Sequence, residues 1–138
     1  MDREVVEQKL ESLRRCLLRI ETKCPADAAT LGSDLDLQDI VSLNLSRAVQ
    51  ISVDIGAHLL AGVEVPPPNT MSQTFDLLAQ AGVLNMELAS RLRKAVGFRN
   101  IAVHSYEHIN WDIVHSIVKY HLADFSEFAK AVAVRLEN

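Results

Sequence analysis

Between residues 97 and 106 the chain reads Gly-Phe-Arg-Asn-Ile-Ala-Val-His-Ser-Tyr, and four of these side chains can do chemistry: Arg99, Asn100, His104 and Tyr106. A helical residue turns about 100°, so Arg99 and Tyr106, seven apart, nearly coincide in direction. Asn100 and His104, four apart, share a face. All four fit one broad helical flank, provided the helix reaches Tyr106. The guanidinium fork of arginine suits a phosphodiester, which it can grip with two parallel hydrogen bonds while stabilising charge on its oxygens. Histidine titrates near neutrality and can move the proton that RNA cleavage requires. Ribose brings its own nucleophile, the 2′-hydroxyl, so this chemistry needs no metal. One histidine cannot be base and acid at once, whereas two copies related by a two-fold axis share the roles. An Arg–His–Tyr group near a helix end also suits a hydrogen-bonded capping network. Spacing alone leaves both readings open.

The charge distribution bears on the choice. The chain carries 14 Lys+Arg against 18 Asp+Glu, a net charge of −4, which excludes a general polyanion-coating protein. From Leu88 to Tyr106, however, no acidic residue occurs, and Arg91, Arg93, Lys94 and Arg99 all fall there. Arg91, Arg93 and Lys94 are therefore candidates for steering an anionic substrate towards the motif. No metal is expected. The 5 histidines include no Glu-x-x-His pair, the unit from which carboxylate di-metal bundles are built. Cys16 and Cys24 belong to no C-x-x-C pair and read as buried thiols. Their Cα atoms, eight residues apart on one helix, stand about 12 Å from each other, too far for a disulfide. Glycine-rich phosphate loops, nucleophile elbows and H-E-x-x-H are absent as well.

The elements that must position the motif are helices. Val6, Leu10, Leu13, Leu17, Ile20 and Cys24 recur at four- and three-residue steps, and Pro25 ends that seam. Residues 25–36 are polar and expected to be irregular. A second helix is expected from Leu37 to Leu60, with Asp34 or Asp36 at its positive end and apolar residues over a wide arc. Gly62 and Pro66-Pro67-Pro68 break the chain before a short helix from about Ser72 to Ala81, stopped by Gly82. Asn85 is placed to cap the motif helix, in which Leu88, Leu92 and Val96 face inward, and Asn110 to cap the last helix. Trp111 is expected to pack at the start of that last helix. The expectation is an all-α antiparallel bundle of four long helices and one short one, in a single domain spanning 1–138. Its 138 residues, 49% of them hydrophobic, bury an adequate core without a staple. No run of about 18 apolar residues exists to span a membrane, and Met1-Asp2-Arg3-Glu4 has no apolar signal core. A cytoplasmic location is expected.

The segment Gly97–Tyr106 resembles the R-N-x-x-x-H-x-Y signature of the HEPN superfamily, in particular its HepT-like toxins. The layout is similar as well: an N-terminal amphipathic helix, a long second helix, a proline-containing connector, the motif helix and a final helix. The resemblance covers nearly the whole chain. It implies a metal-independent endoribonuclease that acts as the toxin of a toxin–antitoxin pair, with no cofactor. By the same resemblance Arg99 and His104 are catalytic and Asn100 is a polar neighbour that orients them or the phosphate. The cleft lies between two protomers of a homodimer, and the antitoxin is a minimal nucleotidyltransferase that transfers AMP onto Tyr106. A bulky anion there would block the cleft and repel RNA. Some HEPN proteins bind nucleotide or assist a nucleotidyltransferase without cutting RNA, so a non-catalytic helical partner subunit is the alternative.

Overall fold

The computed structural model describes residues 2–137, and in them six α-helices and one 3-10 turn follow in order. These are α1 (Arg3–Lys23), α2 (Ala28–Ser33), α3 (Leu35–Leu60), α4 (Met71–Gln80), α5 (Met86–His104), the turn Tyr106–His108, and α6 (Trp111–Glu137). The expected all-α bundle is the observed one, with α1, α3, α5 and α6 long and α4 short. α2 is the addition. It falls in the stretch expected to be irregular, where Asp27 caps it by accepting from the Thr30 N–H at 2.8 Å and Leu31 is its single buried residue.

Side-chain caps set most helix starts, each supplying an acceptor for an N–H that lacks one within the helix. Asp34 accepts from Leu37 N–H at 3.0 Å, so α3 begins at Leu35, two residues earlier than its apolar pattern suggests. Asn85 accepts from Leu88 N–H at 2.8 Å. Asn110 accepts from the N–H groups of Asp112 and Ile113 at 3.0 and 3.3 Å, as its position in the sequence predicts. α1 stops at Lys23, where Cys24 adopts an extended conformation ahead of Pro25.

The core is built on α3, which runs against α1, α4, α5 and α6. Val41, Leu45, Ala48, Val49 and Ile55 are buried along it and meet Val6, Leu13 and Ile20 of α1. Phe75 of α4 and Phe128 of α6 meet edge to face, with ring centroids 6.0 Å apart, an arrangement that favours the positive edge of one ring over the negative face of the other. The buried Gln38 donates to the Leu31 carbonyl at 3.0 Å, tying α2 to α3 while satisfying its own amide. Cys16 is buried and Cys24 half-buried, both as free thiols.

At Gly56, α4 crosses α3 too closely for a side chain. A Cβ there would stand 2.5 Å from Thr74 Cγ2 and 3.0 Å from Leu78 Cδ1, and Thr74 is buried and stiff about its first torsion. Gly56→Val should therefore destabilise the fold by about 1–3 kcal/mol or more through overpacking. A denaturant titration checks this; a midpoint equal to wild type would show that the crossing has slack.

Candidate active site

Full apolar burial holds only the first part of the motif helix, with the half-buried Phe98 packed on the core beyond it. Leu88, Ala89, Leu92 and Val96 are buried on α5, and no residue from Gly97 onwards is. The remaining two turns rest on polar contacts to α3 along one edge and border an open groove along the other.

Two motif side chains make the polar contacts. Arg99, half-buried, donates from Nη2 to Gln50 Oε1 at 3.4 Å. Gln50 in turn donates to Asp54 Oδ1 at 3.0 Å, so its amide is fixed with the carbonyl towards the arginine. Tyr106 lies beyond the end of α5, in the 3-10 turn, and its hydroxyl donates to Asp39 Oδ1 at 2.6 Å. Its ring stands edge-on to Trp111, centroids 6.0 Å apart, which is where the lone tryptophan packs. Burial pushes the Tyr106 phenol above its ordinary value. Asp39 adds to the shift by accepting the phenol's proton in a hydrogen bond and by repelling a phenolate, while the Ser42 hydroxyl opposes it.

Asn100 and His104 are exposed and make no side-chain hydrogen bond among the described residues. The structure thus brings Arg99 and Tyr106 onto α3 and leaves Asn100 and His104 projecting outward. Five residues turn about 140° net, so Arg99 and His104 of one chain diverge rather than grip one atom together. The expectation of a single flank holds pairwise. The helix ends at His104, with Ser105 as its C-cap, and so does not carry Tyr106.

The basic stretch is less free than its sequence suggests. Arg91 donates to Asp124 Oδ1 at 2.9 Å and to Glu127 Oε2 at 3.1 Å, both on α6. Arg93 pairs with Asp76 of α4 at 3.6 Å. Lys94 is exposed on the rim of the groove between α5 and α6. That groove encloses about 600 Å³ and is mostly apolar, with Phe98, Ile101, Ile109, Ile113 and Ile117 along it and His108 at the end nearest the motif. Ile101 and Ile113 are 46% and 57% exposed and line the same groove.

The later histidines have local partners. His115 lies 2.9 Å from the Pro25 carbonyl and His121 lies 3.3 Å from Asp124 Oδ2. Among the described residues no three His, Cys, Asp or Glu side chains converge as a metal-binding group. Sequence reasoning missed Asp39 and Gln50. They lie 67 and 49 residues from their motif partners, and nothing in their local pattern singles them out.

Comparison with known proteins places this geometry in context. The chain is 36% identical over 129 residues to the mRNA nuclease HepT of Shewanella oneidensis, covering 94% of this chain and 96% of that protein. It is 23% identical over 128 residues to the tRNA nuclease HepT of Aphanizomenon flos-aquae, covering 93% of this chain and 87% of that one. Among solved structures, a tri-AMPylated Shewanella oneidensis HEPN toxin in complex with MNT antitoxin superposes with a TM-score of 0.89 at 35% identity, covering 97% of this chain and 99% of that chain. The ribonuclease HepT-like family matches residues 7–132. With nearly the whole bundle matched and the motif at the end of its fifth helix, the chain belongs to the ribonuclease HepT-like family.

Proposed function

We propose that the protein is a metal-independent endoribonuclease, the toxin of a toxin–antitoxin pair, whose antitoxin is a nucleotidyltransferase that silences it by transferring AMP to Tyr106. The observation that carries this reading is the divided motif. Arg99 and Tyr106 are anchored to α3, and His104 stands free at the end of α5. A guanidinium held by a neutral amide rather than a carboxylate keeps its charge for an anionic ligand. The names of the relatives, nucleases of mRNA and of tRNA, favour the same chemistry.

In the proposed reaction Arg99 binds the scissile phosphate and stabilises charge developing on its oxygens. The 2′-hydroxyl attacks phosphorus as His104 takes its proton, and a second His104 returns a proton to the departing 5′-oxygen. Asn100, exposed beside His104, orients the phosphate or the imidazole. Two histidines require two chains, and the groove between α5 and α6 suits a second copy. It exposes Ile101 of the motif helix and Ile113 of α6 and includes His108, close to His104 in sequence, in its lining. Docking two such grooves about a two-fold axis covers the apolar face and brings the ends of two motif helices together. Lys94 supplies steering charge at the groove rim, with Arg93 behind it. Arg91 serves structure first, because both of its carboxylate partners lie within the fold.

Adenylylation at Tyr106 follows from the same geometry. The phenol is 40% exposed, so a transferase can reach it. Once esterified, its oxygen has no proton to give Asp39, and the new phosphate stands beside that carboxylate as well as in the path of RNA.

Growth arrest and cleavage by purified, unmodified protein test the reading. Arg99→Ala and His104→Ala should each lower cleavage by about 100-fold or more and abolish arrest while remaining folded; toxicity in both variants would overturn it. Tyr106→Phe, which also loses the hydrogen bond to Asp39, should lower cleavage only in part and gain no AMP-sized mass when expressed with the antitoxin. Mass increments surviving that change would rule out Tyr106 as the sole acceptor.

The two basic residues should separate experimentally. Arg91→Ala, which strands Asp124 at the α5–α6 contact, should lower the melting temperature. Lys94→Ala should leave it unchanged and flatten the salt dependence of RNA binding. The raised Tyr106 phenol has a pH consequence. Its folded value lies above the unfolded 10.0, so the stability it contributes is full below pH 10 and is lost as pH rises through the folded value. In Asp39→Ala the folded phenol should ionise at lower pH, so that the loss is smaller and complete sooner, as spectrophotometric titration of tyrosinate would record.

A further inference from the structure

On the outer side of the α1–α3 contact, away from the apolar groove, a cavity of about 410 Å³ opens with a different character. Arg15 and Arg19 of α1 and Arg47 of α3 line it, with Ser12 and Asn44 as polar neighbours and the half-exposed Leu43 at its mouth. No acidic side chain lines it. Arg15 and Arg19 are four apart, so they project from one face of α1.

The carboxylate nearest in sequence is already engaged. Glu11 holds Arg14 through two hydrogen bonds of 2.9 and 2.7 Å and reaches Arg15 only at 3.6 Å. Among the described residues, neither Arg19 nor Arg47 forms an ion pair. Arg47 faces the cavity floor: burial holds the Cys16 thiol there above its ordinary value, and the Arg47 charge opposes that shift. Arg19 and Arg47 have no carboxylate partner among the described residues and Arg15 shares Glu11 with Arg14, so the three guanidiniums around the cavity are under-neutralised and an anion would join them.

The cavity also adjoins the motif. Arg47 and Gln50 are three apart on α3 and therefore neighbours on its surface, and Gln50 is the residue that accepts from Arg99. We propose that Arg15, Arg19 and Arg47 form a second phosphate-binding subsite, which holds the backbone of single-stranded RNA flanking the linkage gripped at Arg99. The inference rests on the nuclease reading and extends it to the substrate path. Arginine forks suit phosphodiester oxygens. Leu43, 50% exposed, offers an apolar surface to an unstacked base, and the contacts are to backbone, so the subsite holds RNA without reading its sequence.

The test is fluorescence anisotropy of the full chain with a short 2′-O-methylated oligoribonucleotide, which lacks the attacking hydroxyl, across a salt series. The double variant Arg19→Ala/Arg47→Ala should bind at least about tenfold more weakly at low salt, and its log–log salt slope should be shallower by roughly 0.7 per lost phosphate contact. The double lysine variant should recover most of the slope. Lys130→Ala, which removes an exposed charge on α6 outside the cavity, should change neither quantity. A dinucleotide cannot span both subsites, so its cleavage should be the same in the double alanine variant as in wild type. Wild-type affinity and slope in that variant would overturn the subsite while leaving the nuclease reading intact. Unchanged RNA binding with lost binding of the nucleotidyltransferase would reassign the cavity to a protein partner and likewise overturn it. A wild-type chain that neither binds nor cleaves RNA would overturn both readings.

Discussion

The hydrogen bond from Tyr106 to Asp39, 2.6 Å long, pins the end of the motif helix to the central helix of the bundle. The fully buried side chains of α5 end at Val96, and beyond it on α5 only the half-buried Phe98 packs on the core, so the last turns and the 3-10 turn depend on a further tether. A polar tether is the physical solution here, because a site that must admit an anion cannot be sealed under apolar side chains. The cost is lower local stability, since part-exposed hydrogen bonds contribute only about 0.5–1.5 kcal/mol each. Trp111 adds an aromatic edge to the tether, and Arg99–Gln50 adds a second polar strut seven residues further back. The motif therefore depends on α3 for its geometry more than on its own helix.

The proposed regulation would act through the same contact. The phenol whose hydrogen bond helps seat the motif is the proposed acceptor of AMP. A group attached there removes the donor from the tether in the same step that fills the cleft with negative charge. Placed elsewhere on the surface, the same modification would act through charge alone. At Tyr106 it acts on charge and on the local support of α5 together.

The helices were legible in the sequence because each long one buries a stripe recurring at three and four residues, and because Asn85 and Asn110 mark two starts outright. α2 was not, since six residues with Leu31 alone buried give no period to detect; its one signal was Asp27, three residues before Thr30. The motif itself was legible because its chemistry sits within ten consecutive positions. Its supports were not. Asp39 and Gln50 look like ordinary polar residues on an amphipathic helix, and only the crossing of α3 with α5 gives them partners. The end of α5 at His104 likewise depends on Ser105 and the turn beyond it, which the 3.6-residue period does not encode.

Charge shows most clearly what folding adds. Read along the chain, the acid-free stretch from Leu88 to Tyr106 is the basic surface, whereas on α1 Glu11 and Glu21 flank the three arginines. Folding reverses this ranking. Asp124, Glu127 and Asp76 arrive from α6 and α4 and occupy Arg91 and Arg93. On α1, Glu11 is shared between Arg14 and Arg15, and Arg47 comes over from α3 to join Arg15 and Arg19. Salt screens an exposed charge beyond about 10 Å. What an approaching phosphate meets is therefore the set of cations within that distance, less the carboxylates already paired to them. On that local sum the α1–α3 cavity is the more basic region. An acidic protein can act on a polyanion when its few unpaired cations stand together and its carboxylates are engaged elsewhere.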